Sequence, residues 1–139
     1  MSQAMPKYRG SCLCDGIHYE VHGELDAIVQ CHCLRCRKAS GTAFATNVPI
    51  QSADFHIVKG EHLVKKFEHQ GVSRWFCGEC GSPLISSRVA QPELYRLRVG
   101  SLDTPLQQKP SMHIFVDSKA EWDCILDDLP QHAERPEAR

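Results

Sequence analysis

Apolar and polar positions alternate in short bursts along this chain and almost nowhere recur at helical spacing. Ile17, Tyr19 and Val21 alternate with His18, Glu20 and His22, the period-two signature of a half-buried strand. Residues 27–30 form a short apolar run, and residues 35–40, closed by Gly41, read as a helical turn. Residues 44–50 return to strand, with Phe44, Thr46, Val48 and Ile50 on one face and Pro49 arguing for an edge position. Residues 55–58 and 63–68 read as two strands, and Lys59-Gly60-Glu61 between them as a hairpin turn. Gly71 marks a further turn before residues 73–76. Residues 83–89 and 93–99 look like a strand pair, with Tyr95, Leu97 and Val99 on one face, and Met112, Ile114 and Val116 give the last alternating pattern. Ser118-Lys119-Ala120-Glu121 fits a capping box, so one helical turn is expected to start there.

Short strands without a long helical pattern predict an all-β fold of small antiparallel sheets with a few short helical turns. At 139 residues, with no repeat or linker, the chain is expected to hold a single domain over residues 7–130. Residues 1–6 read as a loose start. Residues 131–139, charged and poor in apolar side chains, read as a solvated tail. The formal charge is −1, so no broad basic surface points to a nucleic-acid partner. No apolar stretch approaches a membrane span, and residues 1–10 lack a signal-peptide core. A cytoplasmic, reducing location is the expectation, and the oligomeric state is left open.

The cysteines change the picture most. Of the eight, seven lie in three tight clusters: Cys12-Leu13-Cys14, Cys31-His32-Cys33-Leu34-Arg35-Cys36 and Cys77-Gly78-Glu79-Cys80. Disulfide frameworks spread their cysteines, whereas these spacings suit metal ligands. Thiolates are soft donors for zinc, copper(I) or iron–sulfur clusters. A closed structural zinc site takes four protein ligands, and a catalytic one keeps three and leaves a position open. Taking each cluster whole, the two pairs supply four ligands and the triple supplies three. Partitions that mix a pair with part of the triple, and an iron–sulfur cluster at the triple, remain as alternatives. Cys12 and Cys14 lie far from Cys77 and Cys80 in sequence, so a shared ion would clasp early and late strands, a structural role.

Several neighbours have both a plain and a chemical reading. His32, between two candidate ligands, reads as a bystander, although as a fourth donor it would close the triple's site. His113 reads as a surface or hydrogen-bonded strand histidine before a catalytic one. Arg35, Arg37 and Lys38 either balance thiolate charge or receive substrate carboxylates. Trp75 and Trp122 read as core or edge aromatics, and Cys124 as a small core residue.

The segments GSCLCDGIHYEV, CHCLRCRKASGTAF, GVSRWFCGECGSPL, ELYRLRVGSLD and MHIFVDSKAEW, in this order, resemble the glutathione-dependent formaldehyde-activating (GFA) family over roughly residues 7–130. The resemblance implies a zinc-bound β-tent of small antiparallel sheets, a fold shared with a guanine-nucleotide-release chaperone. It also implies a structural zinc on Cys12, Cys14, Cys77 and Cys80, and a catalytic zinc on Cys31, Cys33 and Cys36, two ions per chain. The implied activity is that of a carbon–sulfur lyase joining formaldehyde to glutathione as S-(hydroxymethyl)glutathione, or releasing it. The expected partner is therefore a small thiol such as glutathione or a related adduct. A zinc-stabilised binding module without catalysis is the competing expectation, and a site with both metals structural is a third. The odd ligand count at the triple favours the enzyme.

Overall fold

In the computed structural model, residues 5–136 are described. Ten strands and one α-helix are found among them: β1 (Tyr8–Ser11), β2 (His18–Val21), β3 (Ile28–Cys31), α1 (Leu34–Ser40), β4 (Ala45–Gln51), β5 (Phe55–Lys59), β6 (Val64–His69), β7 (Val72–Cys77), β8 (Pro83–Arg88), β9 (Gln91–Arg98) and β10 (Pro110–Ile114). Short 3-10 turns join several of them. The fold is all-β, as the alternating pattern predicts. The chain divides into two compact units. One comprises the chain up to Asp26 together with Val48–Gln107, and the other Ala27–Asn47 with the chain from Gln108 onward.

The first unit holds an antiparallel three-stranded sheet in the order β1-β2-β5 and an antiparallel run β6-β7-β8-β9. Ile17, Tyr19 and Val21 are buried while His18, Glu20 and His22 are half-buried, so the period-two reading of β2 is realised side chain by side chain. Tyr19 packs on Phe55 at 5.0 Å between ring centroids, Phe55 on Tyr95 at 5.9 Å, and Tyr95 on Trp75 at 5.3 Å. This aromatic line joins β2 and β5 to β9 and β7, running from the buried Tyr19 and Phe55 to the half-buried Tyr95 and Trp75. Trp75, half-buried on β7 between β6 and β8, carries Lys66 over its ring at 4.0 Å, a cation on an aromatic face.

Two expectations fail in this unit. Lys59-Gly60-Glu61 is not a hairpin turn, because β5 pairs with β2 and β6 pairs with β7. Gly60 turns the chain between the two sheets at φ 77°, and a Cβ there would stand 1.9 Å from the Gly16 carbonyl oxygen. The hairpin lies instead at Gln70-Gly71, both at positive φ, directly between the paired His69 and Val72. Pro49 is buried and does not mark an edge strand. It lies beyond Val29–Asn47, the last pair between β3 and β4, so its missing N–H removes no bond from that ladder.

In the second unit, β3 pairs with β4 antiparallel and with β10 in parallel, a register the strand pattern alone does not specify. The core here is Val29, Cys31, Cys36, Ala45 and Ile114, with Cys33, Met112 and Phe115 packed against it. Val116 leaves the strand: Phe115 takes a left-handed conformation, and Val116–Ser118 forms a 3-10 turn. No helix starts at Ser118. Lys119 donates its ammonium to the carbonyls of Ala120 and Asp123, at 3.2 and 2.6 Å, and a tight turn over Ala120–Asp123 replaces the capped helix. Trp122 and Cys124 are exposed there, which for Cys124 overturns the expectation of a core position. From Pro130 the backbone hydrogen-bonds along β10 and its continuation (His113 N to Pro130 O, 2.9 Å; Phe115 N to Glu134 O, 2.9 Å). Gln131, Ala133, Glu134 and Arg135 expose their side chains. The rest of the expected tail, residues 137–139, and most of the expected loose start, residues 1–4, lie outside the described residues.

Candidate metal centres

Two groups of cysteines each bring their sulfurs within 4.8 Å of one another: Cys12, Cys14, Cys77 and Cys80 in the first unit, and Cys31, Cys33 and Cys36 in the second. The eight cysteines are all free thiols, and Cys124 joins neither group.

The four-cysteine group is assembled from two turns. Cys12 N donates to the Ile17 carbonyl and Asp15 N to that of Cys12, which curls residues 12–17 back on themselves, with Asp15 in the left-handed region. In the second turn Cys77 N donates to Ser82 O and Gly81 N to Cys77 O. Backbone N–H groups point at the sulfurs: Ile17 N to Cys12 Sγ at 3.2 Å and Glu79 N to Cys77 Sγ at 3.4 Å. Such N–H groups stabilise negative charge on sulfur. The Ser82 hydroxyl beside Cys80 Sγ, at 3.3 Å, brings that thiol down to about 5. Ser82 also accepts from Leu13 N at 2.8 Å, tying the two turns together. Cys12 and Cys14 sulfurs are 3.5 Å apart, and Cys14 and Cys77 sulfurs 3.8 Å. A tetrahedron of thiolates around zinc, with Zn–S near 2.3 Å, has edges of about 3.8 Å. The residues fit the ion.

The three-cysteine group sits at the end of β3 and the start of α1. Cys31 and Cys36 are buried, and Cys33 is half-buried. Cys33 is the helix N-cap: in extended conformation, its sulfur accepts from Cys36 N at 3.3 Å, the position a serine or aspartate oxygen often takes. Gly41, in the left-handed region, ends the helix with its N–H on Arg37 O, so the turn predicted at 35–40 forms as a seven-residue helix. Hydrogen bonding from the Cys31 and Cys36 thiols draws the Cys33 thiol well below its ordinary range, while Cys31, donor to Cys33 and buried, is driven up. Three sulfurs gathered within 4.8 Å of one another are suited to a shared cation. Among the described residues no histidine, carboxylate or further cysteine places a donor in this cluster.

Neither ring nitrogen of His32 joins the sulfur cluster. Its ring is fully buried, packs on Phe44 at 5.0 Å and hydrogen-bonds through Nε2 to His113 Nδ1 at 2.8 Å. His113, also buried, reaches Asp127 through Nε2 at 3.0 and 3.1 Å to the two carboxylate oxygens. That bond holds the Asp127 carboxyl below its ordinary range, and burial with the neighbouring imidazole lowers the His32 value. The link between His32 and His113 spans 81 residues and was not legible in the strand pattern. A polar residue at 113 within an apolar strand was its only trace. Arg35 and Lys38 are exposed, whereas Arg37 is half-buried with an Nε that has no hydrogen-bond partner.

Set beside known proteins, residues 7–118 match the sequence model of the glutathione-dependent formaldehyde-activating enzyme family. The chain belongs to that family. The matched span takes in both cysteine groups and runs from β1 to the turn after β10, so the GFA framework and the structure coincide. A Schizosaccharomyces pombe protein described as an uncharacterized lyase is 31% identical over 80 residues. That match covers 58% of this GFA chain and 57% of the relative, so the chain spans little more than half the relative's length. A crystal structure of a Rhodobacter sphaeroides protein superposes with a TM-score of 0.60 at 25% identity, over 71% of this chain and 91% of that one. No described helix is long and apolar enough to cross a membrane.

Proposed function

We propose that this GFA family member is a zinc-dependent carbon–sulfur lyase acting on the adduct of a small thiol with an aldehyde, with glutathione and formaldehyde as the first pair to test. The observation that carries the reading is the three-sulfur cluster of Cys31, Cys33 and Cys36, which has one donor fewer than a closed tetrahedral site needs. Residues 7–130 are taken as one functional domain with two zinc ions, the other on Cys12, Cys14, Cys77 and Cys80. The names of the family and of the yeast relative support lyase chemistry.

Cys31, Cys33 and Cys36 would hold the zinc, which when bound would supply a Lewis acid able to lower the pKa of a substrate thiol. The chain does the rest. Cys31 and Cys36, buried in the core of their unit, fix two of the three donors, and the N-cap bond fixes the third. Packing by Met112 and Phe115 keeps this side of the cluster apolar, which strengthens electrostatic contacts made there. Arg37 is the first candidate for a substrate carboxylate, because its buried Nε lacks a partner, whereas Arg35 and Lys38 are exposed.

Cobalt substitution tests this directly. Small thiols should change the absorption arising from the three-cysteine site and leave that of the four-cysteine site unaltered. Turnover of the S-hydroxymethyl adduct, followed separately, should appear with the same thiols. Absence of any spectral response to glutathione, cysteine or a carboxylate-free thiol sinks the lyase assignment in favour of a binding module.

A further inference from the structure

The loop bearing the three cysteines also carries polar atoms that neither the ligands nor the packing use. Of the four ring nitrogens of His32 and His113, three are paired: His32 Nε2 with His113 Nδ1, and His113 Nε2 with Asp127. The fourth, His32 Nδ1, is buried and has no hydrogen-bond partner. Asp123 Oδ2 is likewise buried and without one. The two face each other at 3.9 Å.

That separation is too long for a direct hydrogen bond and too short for the two atoms to be independent. One oxygen placed about 2.8 Å from both would see them at an angle of roughly 90°, close to what a hydroxyl or water uses for two partners. A hydroxyl serves both atoms when the ring proton is on Nδ1, accepting from Nδ1–H and donating its one hydrogen to the carboxylate; a water, with two hydrogens, also serves a bare Nδ1. The walls are built rather than incidental. Phe44 packs on the His32 ring, and His113 and Asp127 hold that ring from its far nitrogen. Asp123 is set by its own N–H on Ala120 O at 3.1 Å and by Lys119 Nζ on its carbonyl.

We propose that His32 Nδ1 and Asp123 Oδ2 form a hydroxyl-binding site, and that the hydroxyl of the thiol–aldehyde adduct is the group it receives in turnover. The second half rests on the lyase reading. The support for it is where His32 stands in the chain: bonded on both sides to a cysteine of the cluster, with neighbouring Cα atoms about 3.8 Å away. In an S–CH2–OH unit the oxygen lies two bonds from the sulfur, so a receptor for that oxygen belongs close to the group that holds the sulfur. Within this site His32 and Asp123 orient the C–O bond and exclude adducts that lack the hydroxyl.

The zinc-loaded protein, labelled with ¹⁵N-histidine, tests it by NMR with two compounds: an S-hydroxymethyl thiol and the matching S-methyl thioether. The His32 Nδ1 resonance should move with the first and not with the second. Asp123→Asn, whose amide can donate straight to Nδ1, should weaken the hydroxymethyl response at least tenfold while the cobalt response to plain thiols persists. Equal shifts with both compounds, or none with either, overturn the adduct assignment. A crystal structure of the zinc-loaded protein separates that failure from failure of the lyase reading. An oxygen bridging Nδ1 and Oδ2 upholds the hydroxyl site even if no thiol reaches the metal, and a water that the hydroxymethyl compound never displaces removes the adduct from it. A direct His32–Asp123 hydrogen bond, or no oxygen between the two, overturns the site itself.

Discussion

The two cysteine groups use one kind of donor atom and differ in how much chain separates the donors. Cys31, Cys33 and Cys36 come from six consecutive residues, whereas Cys12 and Cys14 meet Cys77 and Cys80 across more than sixty. A local group fixes little beyond its own loop. A distant one closes a long stretch of chain, and loop closure is what an unfolded chain resists. The surroundings differ in the same sense. The distant group is wrapped by turns whose N–H groups point at sulfur, and three of its cysteines, Cys12, Cys77 and Cys80, are buried or half-buried while Cys14 is exposed. The local group lies in an apolar core beside a buried histidine pair. Identical ligands thus serve, on this reading, connectivity in one place and chemistry in the other.

The sharpest way to break the comparison is to remove one ligand from each group. Cys80→Ser should cost on the order of 3–5 kcal/mol in thermal or denaturant unfolding, a fraction of the roughly 10–16 kcal/mol that structural zinc binding supplies. Cys36→Ser should cost about 1–2 kcal/mol, mostly for placing a hydroxyl in an apolar core. Equal losses would erase the distinction. Metal content gives a second view of it. Two zinc ions per chain are expected under reducing conditions, and mild chelation should take the one at Cys31, Cys33 and Cys36 first. A single tightly held ion would refute the two-site scheme.

Much of this was legible in the sequence because local rules govern it. The period-two run of residues 17–22 needs only one buried face, and the cysteine spacings need only a shared ion. What escaped is what depends on long-range pairing. Lys59-Gly60-Glu61 has the composition of a hairpin turn, yet composition does not say which sheet the next strand joins. Ser118–Glu121 has the spacing of a capping box, but Lys119 bonds to the backbone carbonyls of Ala120 and Asp123, and no apolar helical face follows to be buried. The His32–His113–Asp127 chain depends on β3 and β10 lying parallel, a pairing no single-strand pattern records.

That chain yields a smaller effect specific to the local group. His113→Phe keeps an aromatic ring, somewhat larger than imidazole, but leaves His32 Nε2 buried without a partner, which should cost about 1–3 kcal/mol. Its partner responds to acid. Because the His113 bond depresses the folded-state value of Asp127 below the ordinary 3.8, its stabilisation is present above that pH and is lost as pH falls through the lower folded value. Asp127→Asn should therefore flatten the acid limb of the stability profile below about pH 4. An unchanged acid limb would show that the pair does not contribute.

The smallest expected effect comes from two glycines in matched positions, one beside each group. Gly41 ends α1 at φ 71°, and Gly81 follows Cys80 at φ 80°; a Cβ on either would meet nothing within 4 Å. Replacing either by alanine thus introduces backbone strain without a clash, costing about 1 kcal/mol in each case. The global stability loss should be alike, and only its coupling to metal should differ. Gly81 N donates to Cys77 O inside the turn that carries both Cys77 and Cys80, so strain there displaces ligands. Gly41 lies five residues beyond Cys36, at the far end of the helix that Cys33 caps. Gly81→Ala should therefore weaken zinc retention at the four-cysteine group by a few-fold, while Gly41→Ala lowers the unfolding temperature without speeding zinc loss from either group. If Gly41→Ala releases zinc from the three-cysteine group as readily, that group draws on the whole helix for its geometry, and its local character is wrong.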